Sequence, residues 1–207
     1  MRLAMAIDTT KCIGCHACSV ACKSNNNLPQ DIWWNRVDTD GGESPDTARG
    51  TYPSDLHWRY LPINCQHCSK PLCVAVCPTG ASQQDNDTGI VSIDNEACIG
   101  CGACLEACPY DVRTLVGKSP GYAVDFPLGE WDAPKHIPDT MTKCTFCKNR
   151  LDRESIPACM ELCLGRARYW GDLEDPTSEI NQYLEGKNYE FLHEDSGSEP
   201  NVFYIIK

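Results

Sequence analysis

All sixteen cysteines of this chain fall into four short runs. In "KCIGCHACSVAC", Cys12, Cys15, Cys18 and Cys22 follow the spacing C-x2-C-x2-C-x3-C. In "CIGCGACLEACP", Cys98, Cys101, Cys104 and Cys108 repeat it. Looser variants place Cys65, Cys68, Cys73 and Cys77 in "CQHCSKPLCVAVCP", and Cys144, Cys147, Cys159 and Cys163 in "CTFCKNRLDRESIPACMELC". No thiol lies outside a run.

Three chemistries use clustered thiols. A disulfide needs two Cα atoms at a set separation with converging Cβ vectors, whereas successive Cys-x-x-Cys steps turn several sulfurs toward one region. Zinc accepts Cys-x-x-Cys pairs in a tetrahedron, and Cys65/Cys68 or Cys144/Cys147 alone would suit it. The full C-x2-C-x2-C-x3-C run, followed at Pro109 by proline, is instead the bacterial ferredoxin spacing. There, three thiolates hold one cubane and the fourth ligates the other cluster of a pair. Four runs of four imply four [4Fe–4S] clusters.

A cubane needs ligands from directions that one continuous helix cannot supply. Two-residue spacers wrap three corners, and small residues (Gly14, Ala17, Gly100, Gly102 and Ala103) let the backbone approach closely. The fourth cysteine is expected to begin a helix facing the neighbouring cluster. Pro78 and Pro109 are set for a turn or a first helical position.

The second and third runs are separated by "GASQQDNDTGIVSID", which reads as a strand pair with turn residues Asn86, Asp87 and Gly89. Pairing those runs leaves the first with the fourth. The assignment is then nested. Cys12, Cys15, Cys18 and Cys163 form group A, and Cys22, Cys144, Cys147 and Cys159 form group B. Cys65, Cys68, Cys73 and Cys108 form group C, and Cys77, Cys98, Cys101 and Cys104 form group D. Pairing adjacent runs, first with second and third with fourth, is the alternative.

The expected fold is α+β: two pseudo-symmetric two-cluster ferredoxin-like units with long irregular loops. Residues 1–60 and 110–207 would make the outer unit and residues 61–109 the inner one. "WWNRVDTDGGESPDTARGTYPSDLHWRYLP" and "GKSPGYAVDFPLGEWDAPKHIPDT" have no period and read as loops, of a length that usually serves an interface. With 4 Phe and 4 Met, a large apolar core is not expected.

A formal net charge of −11 argues against a nucleic-acid partner. The acidic tail "SEINQYLEGKNYEFLHEDSGSEP" reads as solvated surface or a docking segment. "MRLAMAIDTTKC" is too short for a signal-peptide core, and no eighteen-residue apolar run is present. The expected location is cytoplasmic, or extracytoplasmic if a signal-bearing partner carries the folded chain across. Neither a nucleophile–base arrangement nor a phosphate or dinucleotide loop is visible; "CIGCGAC" and "TDGGES" are not G-x-G-x-x-G. The chain alone is expected not to be an enzyme.

The four runs in this order, with "RGTYP" before the second, "GRARYWGDLEDPTS" after Cys163 and a closing "VFYI", resemble a known family over nearly the whole length. It is the iron–sulfur subunit of molybdopterin oxidoreductases of the dimethyl-sulfoxide-reductase family. Within it, the N-terminus looks most like small subunits of respiratory arsenate reductases. "RGTYPSDLHWRYLPINCQHC" also resembles those of transhydroxylases and catechol dehydroxylases. The resemblance implies an electron relay for anaerobic respiration. Its partner would be a large subunit carrying a molybdenum or tungsten bis-pterin cofactor, acting on an aromatic hydroxyl compound or arsenate, with a membrane anchor as a further partner. The nested ligand pairing is also the family's pattern. Lys23 and Leu164 replace the proline after the last cysteine of the first and fourth runs. The alternatives are a free-standing polyferredoxin, or a subunit of a hydrogenase or formate dehydrogenase complex.

Other residues have plainer readings. His16 and His67, inside cysteine runs, read as hydrogen-bond donors or exposed side chains, not ligands. Lys143, Lys148, Arg150, Arg153, Arg166 and Arg168 surround the fourth run, either balancing anionic clusters or raising a potential or binding a partner. Trp33, Trp34, Trp58, Trp131 and Trp170 suit interface anchors, with Trp170 equally suited to packing.

Overall fold

The computed structural model describes residues 1–41 and 47–207; residues 42–46, part of the first predicted loop and of the outer unit, lie outside the described residues. In chain order the elements are β1 (Leu3–Asp8), α1 (Ala17–Asn25), β2 (Asn35–Thr39), β3 (Tyr60–Asn64), α2 (Leu72–Ala75), β4 (Ser82–Gln84), β5 (Val91–Ile93) and α3 (Ala103–Glu106). There follow β6 (Thr114–Leu115), β7 (Met141–Thr142), α4 (Lys148–Leu151), α5 (Ala158–Glu161), β8 (Arg168–Asp172), α6 (Glu179–Leu184), β9 (Tyr189–Glu190) and β10 (Val202–Ile205). This mixture of short helices and strands is α+β, as the cysteine pattern implied.

The largest sheet runs β8-β1-β10-β9. β1 is buried along its whole length. It pairs antiparallel with β8 and parallel with β10. Its side chains alternate in size, as a strand covered on both faces requires. Ala4 and Ala6 lie under α6 with Ile180 and Ile205, whereas Leu3, Met5 and Ile7 face Phe146, Met160, Cys18 and Cys159. The small residues allow the helix close approach. α6 itself places Ile180, Tyr183 and Leu184 on one face at helical spacing.

The tail therefore departs from its reading as solvated surface. Within it Ile180 is fully buried, and Ser198 and Pro200 are buried. The spacing of Ile180, Tyr183 and Leu184 outweighs the acidic residues around them.

The first predicted loop also departs. Within it, Asn35–Thr39 pairs antiparallel with β3, matching Asn35 to Asn64 and Thr39 to Tyr60. The hairpin crosses the expected border between residues 60 and 61. Its burial alternates along β2, a period that Asn and Asp residues hid. The second loop contains neither helix nor strand between residues 116 and 140, and the pair β6–β7 closes its ends.

β4 and β5 form the expected strand pair. Asp85 supplies the turn chemistry, its Oδ1 accepting from the amides of Asp87 (2.9 Å) and Thr88 (2.8 Å), and Gly89 takes a φ of 74°. α1 packs on α5, and α2 on α3. No single apolar core forms; buried apolar residues divide into four clusters, three of which include cysteines.

Ala6→Leu should over-pack the space beneath Ile180. A cost of about 1–3 kcal/mol is expected, lowering the thermal midpoint by roughly 2–4 °C per kcal/mol. Anaerobic thermal unfolding of the cluster-loaded chain measures this, and an unchanged midpoint would show slack beneath α6.

Candidate metal centres

The helices begin one cysteine earlier than expected. Cys18, Cys73, Cys104 and Cys159 lie within α1, α2, α3 and α5, and Cys22, Cys77, Cys108 and Cys163 follow each of them by four residues. Those four residues correspond to about 6 Å of helical rise. Cys22 lies within α1, whereas Cys77, Cys108 and Cys163 stand in the tightened turn just past their helices, as where the Cys108 amide donates to the Leu105 carbonyl at 3.1 Å. Pro78 and Pro109 then stand in the turns beyond. Before α1 and α3 the chain wraps through left-handed residues, His16 and Gly102.

Two glycines of these loops leave no room for a side chain. Gly14 has φ +67°, and a Cβ there would fall 2.4 Å from the Tyr60 ring. Gly100 has φ +64°, and its Cβ would fall 2.1 Å from the Asp139 carbonyl oxygen.

Three sets of four thiols line three cavities of nearly equal volume. Cys12, Cys15, Cys18 and Cys163 line one of about 20 Å³. Cys65, Cys68, Cys73 and Cys108 line another of about 20 Å³, and Cys77, Cys98, Cys101 and Cys104 a third of about 20 Å³. In the fourth set all members are buried, and the Cys22 thiol interacts with those of Cys144, Cys147 and Cys159. Among the described residues, no three His, Cys, Asp or Glu side chains converge on a single ion. The thiols surround a space instead of meeting at a point.

Groups A to D adjoin in that order. Cys159 of B interacts with Cys18 of A, Cys144 of B with Cys65 of C, and Arg113 lines the cavities of both C and D. The end groups each keep one exposed cysteine, Cys15 and Cys101.

Burial, then mutual repulsion, pushes the Cys22 thiol far up. Burial is also the largest influence on Cys68 and Cys159, both pushed up to about 12. Cys65 and Cys77 go the other way: burial pushes both up, but His67 and Lys143 outweigh it at Cys65 and hold that thiol well below its ordinary value, and hydrogen bonds from Ser82, Thr79 and Ala81 lower Cys77. Thiolates in such surroundings need positive charge beside them, which iron would supply.

The sulfurs also collect donors. Backbone amides of Ser82, Met141, Phe146 and Ala167 donate to Cys77 (3.3 Å), Cys98 (3.4 Å), Cys144 (3.4 Å) and Cys163 (3.3 Å). Arg113 donates to Cys73 at 2.9 Å. Among the buried groups without a partner in the described residues are His67 Nε2, whose ring Nδ1 accepts from the Val91 amide at 3.1 Å, and Arg113 Nη1. An acceptor-rich anionic group in the adjoining cavity would satisfy them. The residues present fit a sulfide-bearing cluster.

The comparisons decide the family. Domains described as 4Fe-4S dicluster domains match residues 11–81 and 56–119. The chain is 38% identical to a Halobacterium salinarum protein provisionally named as the iron–sulfur subunit of a dimethyl sulfoxide reductase, covering 97% of this chain and 78% of that one. It is 36% identical to the arsenate respiratory reductase iron–sulfur subunit of Shewanella sp. strain ANA-3, covering 99% and 96%. It is 37% identical to a tetrathionate reductase subunit of Salmonella typhimurium, covering 99% and 72%. The chain belongs to the iron–sulfur subunits of multisubunit reductases. Such a subunit transfers electrons and is not the catalytic component.

Some side chains of this iron–sulfur subunit differ from their sequence reading and others agree with it. Trp34 is buried and donates to Thr142 Oγ1 at 3.1 Å, so it is not an exposed anchor, while Trp170 packs edge-on to Phe146, the packing role it equally suited. Trp33, Trp58 and Trp131 remain exposed. His16 is exposed, and His67 is buried against Phe146. The basic cluster splits: Arg150 pairs with Glu130 and Glu161, Arg153 with Glu130 and Asp132, Lys148 with Asp152, and Arg166 is exposed. Lys143 and Arg168 are buried. Arg113 was missed, although it follows Cys108 by the same five residues that separate Arg168 from Cys163.

Cys22→Ser should remove the cluster of group B, about four irons per chain, and leave that of group A. Iron analysis with EPR of the reduced variant checks this; loss of the group A signal instead would contradict sharing of the first run between two clusters.

Proposed function

We propose that the sixteen cysteines ligate four [4Fe–4S] clusters, one per group A to D, and that the chain wires a molybdenum or tungsten bis-pterin catalytic subunit to its electron donor or acceptor. When bound, each cubane takes up and returns one electron. The observation that carries the reading is the lining of three like-sized cavities by four thiols each, with the remaining four buried together.

The chain's own contribution is to hold and tune. Short helices span neighbouring groups, backbone amides soften the sulfur charge, and burial keeps water from the interior groups. The exposed edges of groups A and D are the places where electrons enter and leave. The equal offsets of Arg113 from Cys108 and of Arg168 from Cys163 support two related units, one holding groups A and B and the other groups C and D.

Relatives named for dimethyl sulfoxide, arsenate, tetrathionate and selenate reductases are 38%, 36%, 37% and 36% identical to the chain. That evenness fits a relay whose partner chooses the substrate. Arsenate belongs to this set; an aromatic hydroxyl substrate rests on the sequence resemblance alone. Among the described residues no helix is long and apolar enough to cross a membrane; a membrane anchor subunit is a further proposed partner.

Anaerobically isolated protein should carry about sixteen irons with equal sulfide per chain and elute with a large molybdopterin-bearing subunit. Far less iron would defeat the cluster assignment. Elution alone with the clusters intact would defeat the fixed complex.

A further inference from the structure

Three cations are buried beside the thiols, and among the described residues no carboxylate pairs with any of them. Arg168, 6% exposed, donates to Asn35 Oδ1 (2.6 Å), to Asn64 Oδ1 (3.1 Å) and weakly to Cys159 (3.7 Å). Lys143, 2% exposed, donates to the carbonyls of Val91 and of Cys144 (2.7 Å). Arg113, 3% exposed, donates to Ser82 Oγ (2.8 Å) and Cys73 (2.9 Å). Arg150 shows the contrast, since that buried guanidinium is neutralised by two glutamates.

An unpaired buried charge is strongly disfavoured, so these three need a counter-charge. Their positions say which. Arg168 lines the cavity of group A and also interacts with Cys159 and Cys22 of group B. Lys143 donates to the carbonyl of Cys144, a member of group B, and to that of Val91, which lines the cavity of group C. Arg113 lines the cavities of groups C and D. Each cation sits at one junction of the row, and each junction has one.

We infer that Arg168, Lys143 and Arg113 are junction charges, each shared by two neighbouring clusters and raising the reduction potential of both. The inference rests on the cluster assignment proposed above. A fixed positive charge favours the state that holds one more electron, and in a dry interior its reach exceeds that in water. The two interior clusters each border two such charges and the terminal clusters one. Electrons passing along the row therefore meet a positive charge at every gap. Arginine at two of the three sites keeps its charge at any working pH.

The test is an EPR-monitored titration with dithionite of the full chain carrying its clusters. Iron content of the wild type is measured first, and a shortfall there would sink the cluster assignment and not the junction charges. With full iron, Arg113→Gln should shift two of the four midpoint potentials to more negative values, while Arg113→Lys leaves all four near wild type. Lys143→Met should also shift two, one of them shared with the Arg113→Gln pair. Arg168→Gln should shift the remaining member of the Lys143→Met pair and a fourth cluster, with none shared with Arg113→Gln. That overlap pattern does not depend on assigning any signal. Uniform shifts, no shifts, or equal effects of Arg113→Gln and Arg113→Lys would overturn the inference. If one variant fails to hold iron, the other two junctions still decide it. Iron loss in all three would make these cations structural and overturn it too.

Discussion

Two cysteines four residues apart project from the same face of a helical turn, about 6 Å apart along its axis, and each such pair here places one thiol in each of two neighbouring groups. Cys18 and Cys22, Cys73 and Cys77, Cys104 and Cys108, and Cys159 and Cys163 all obey that geometry. α2, α3 and α5, four residues each, have no stability of their own. On the proposed ligation, attachment to clusters on either side would replace the tertiary packing that a longer helix would need. α1 on α5 and α2 on α3 are then not independent packing choices, because each helix pair encloses the same two groups.

That arrangement alters the electrostatic problem of folding. The chain is acidic overall at −11, yet it buries two arginines and a lysine that have no carboxylate partner among the described residues. In an ordinary domain such charges would be costly. Here the sites they border are anionic, and the cost of burying thiolates and the cost of burying cations offset each other. The asparagines make this concrete. Asn35 and Asn64 face one another across β2 and β3, and their side-chain oxygens both accept from Arg168. A hairpin that looked structureless in sequence exists in part to aim one guanidinium.

How much was legible follows from which signals are local. The cysteine spacing carried the site, because ligation fixes residue type and offset together. β4 and β5 were legible because their alternation is bounded by turn residues. β2 was not, since Asn35, Arg36, Asp38 and Thr39 conceal a half-buried strand with few apolar markers. The tail was misread because its charge outweighed the spacing of Ile180, Tyr183 and Leu184. Trp34 and Arg113 depend on contacts far along the chain, Trp34 with Thr142 and Arg113 with Cys73, which no window reveals. One signal was present and unused: the equal five-residue offset of Arg113 and Arg168 from the last cysteine of their runs.

The nested arrangement has an explanation independent of the thiols. β1 ends just before the first run, β8 starts just after the fourth, and the two strands pair with Ile7 opposite Arg168. β10, almost the last residues of the chain, lies against the other edge of β1. Both ends of the polypeptide are thus fixed to one strand, bringing the first and fourth runs together before any metal is considered. Pairing the first run with the second would leave β1 drawing Cys163 toward a group that already had four ligands. The sheet and the ligand sets demand the same topology, and Arg168, the first residue of β8, stands where those two demands meet.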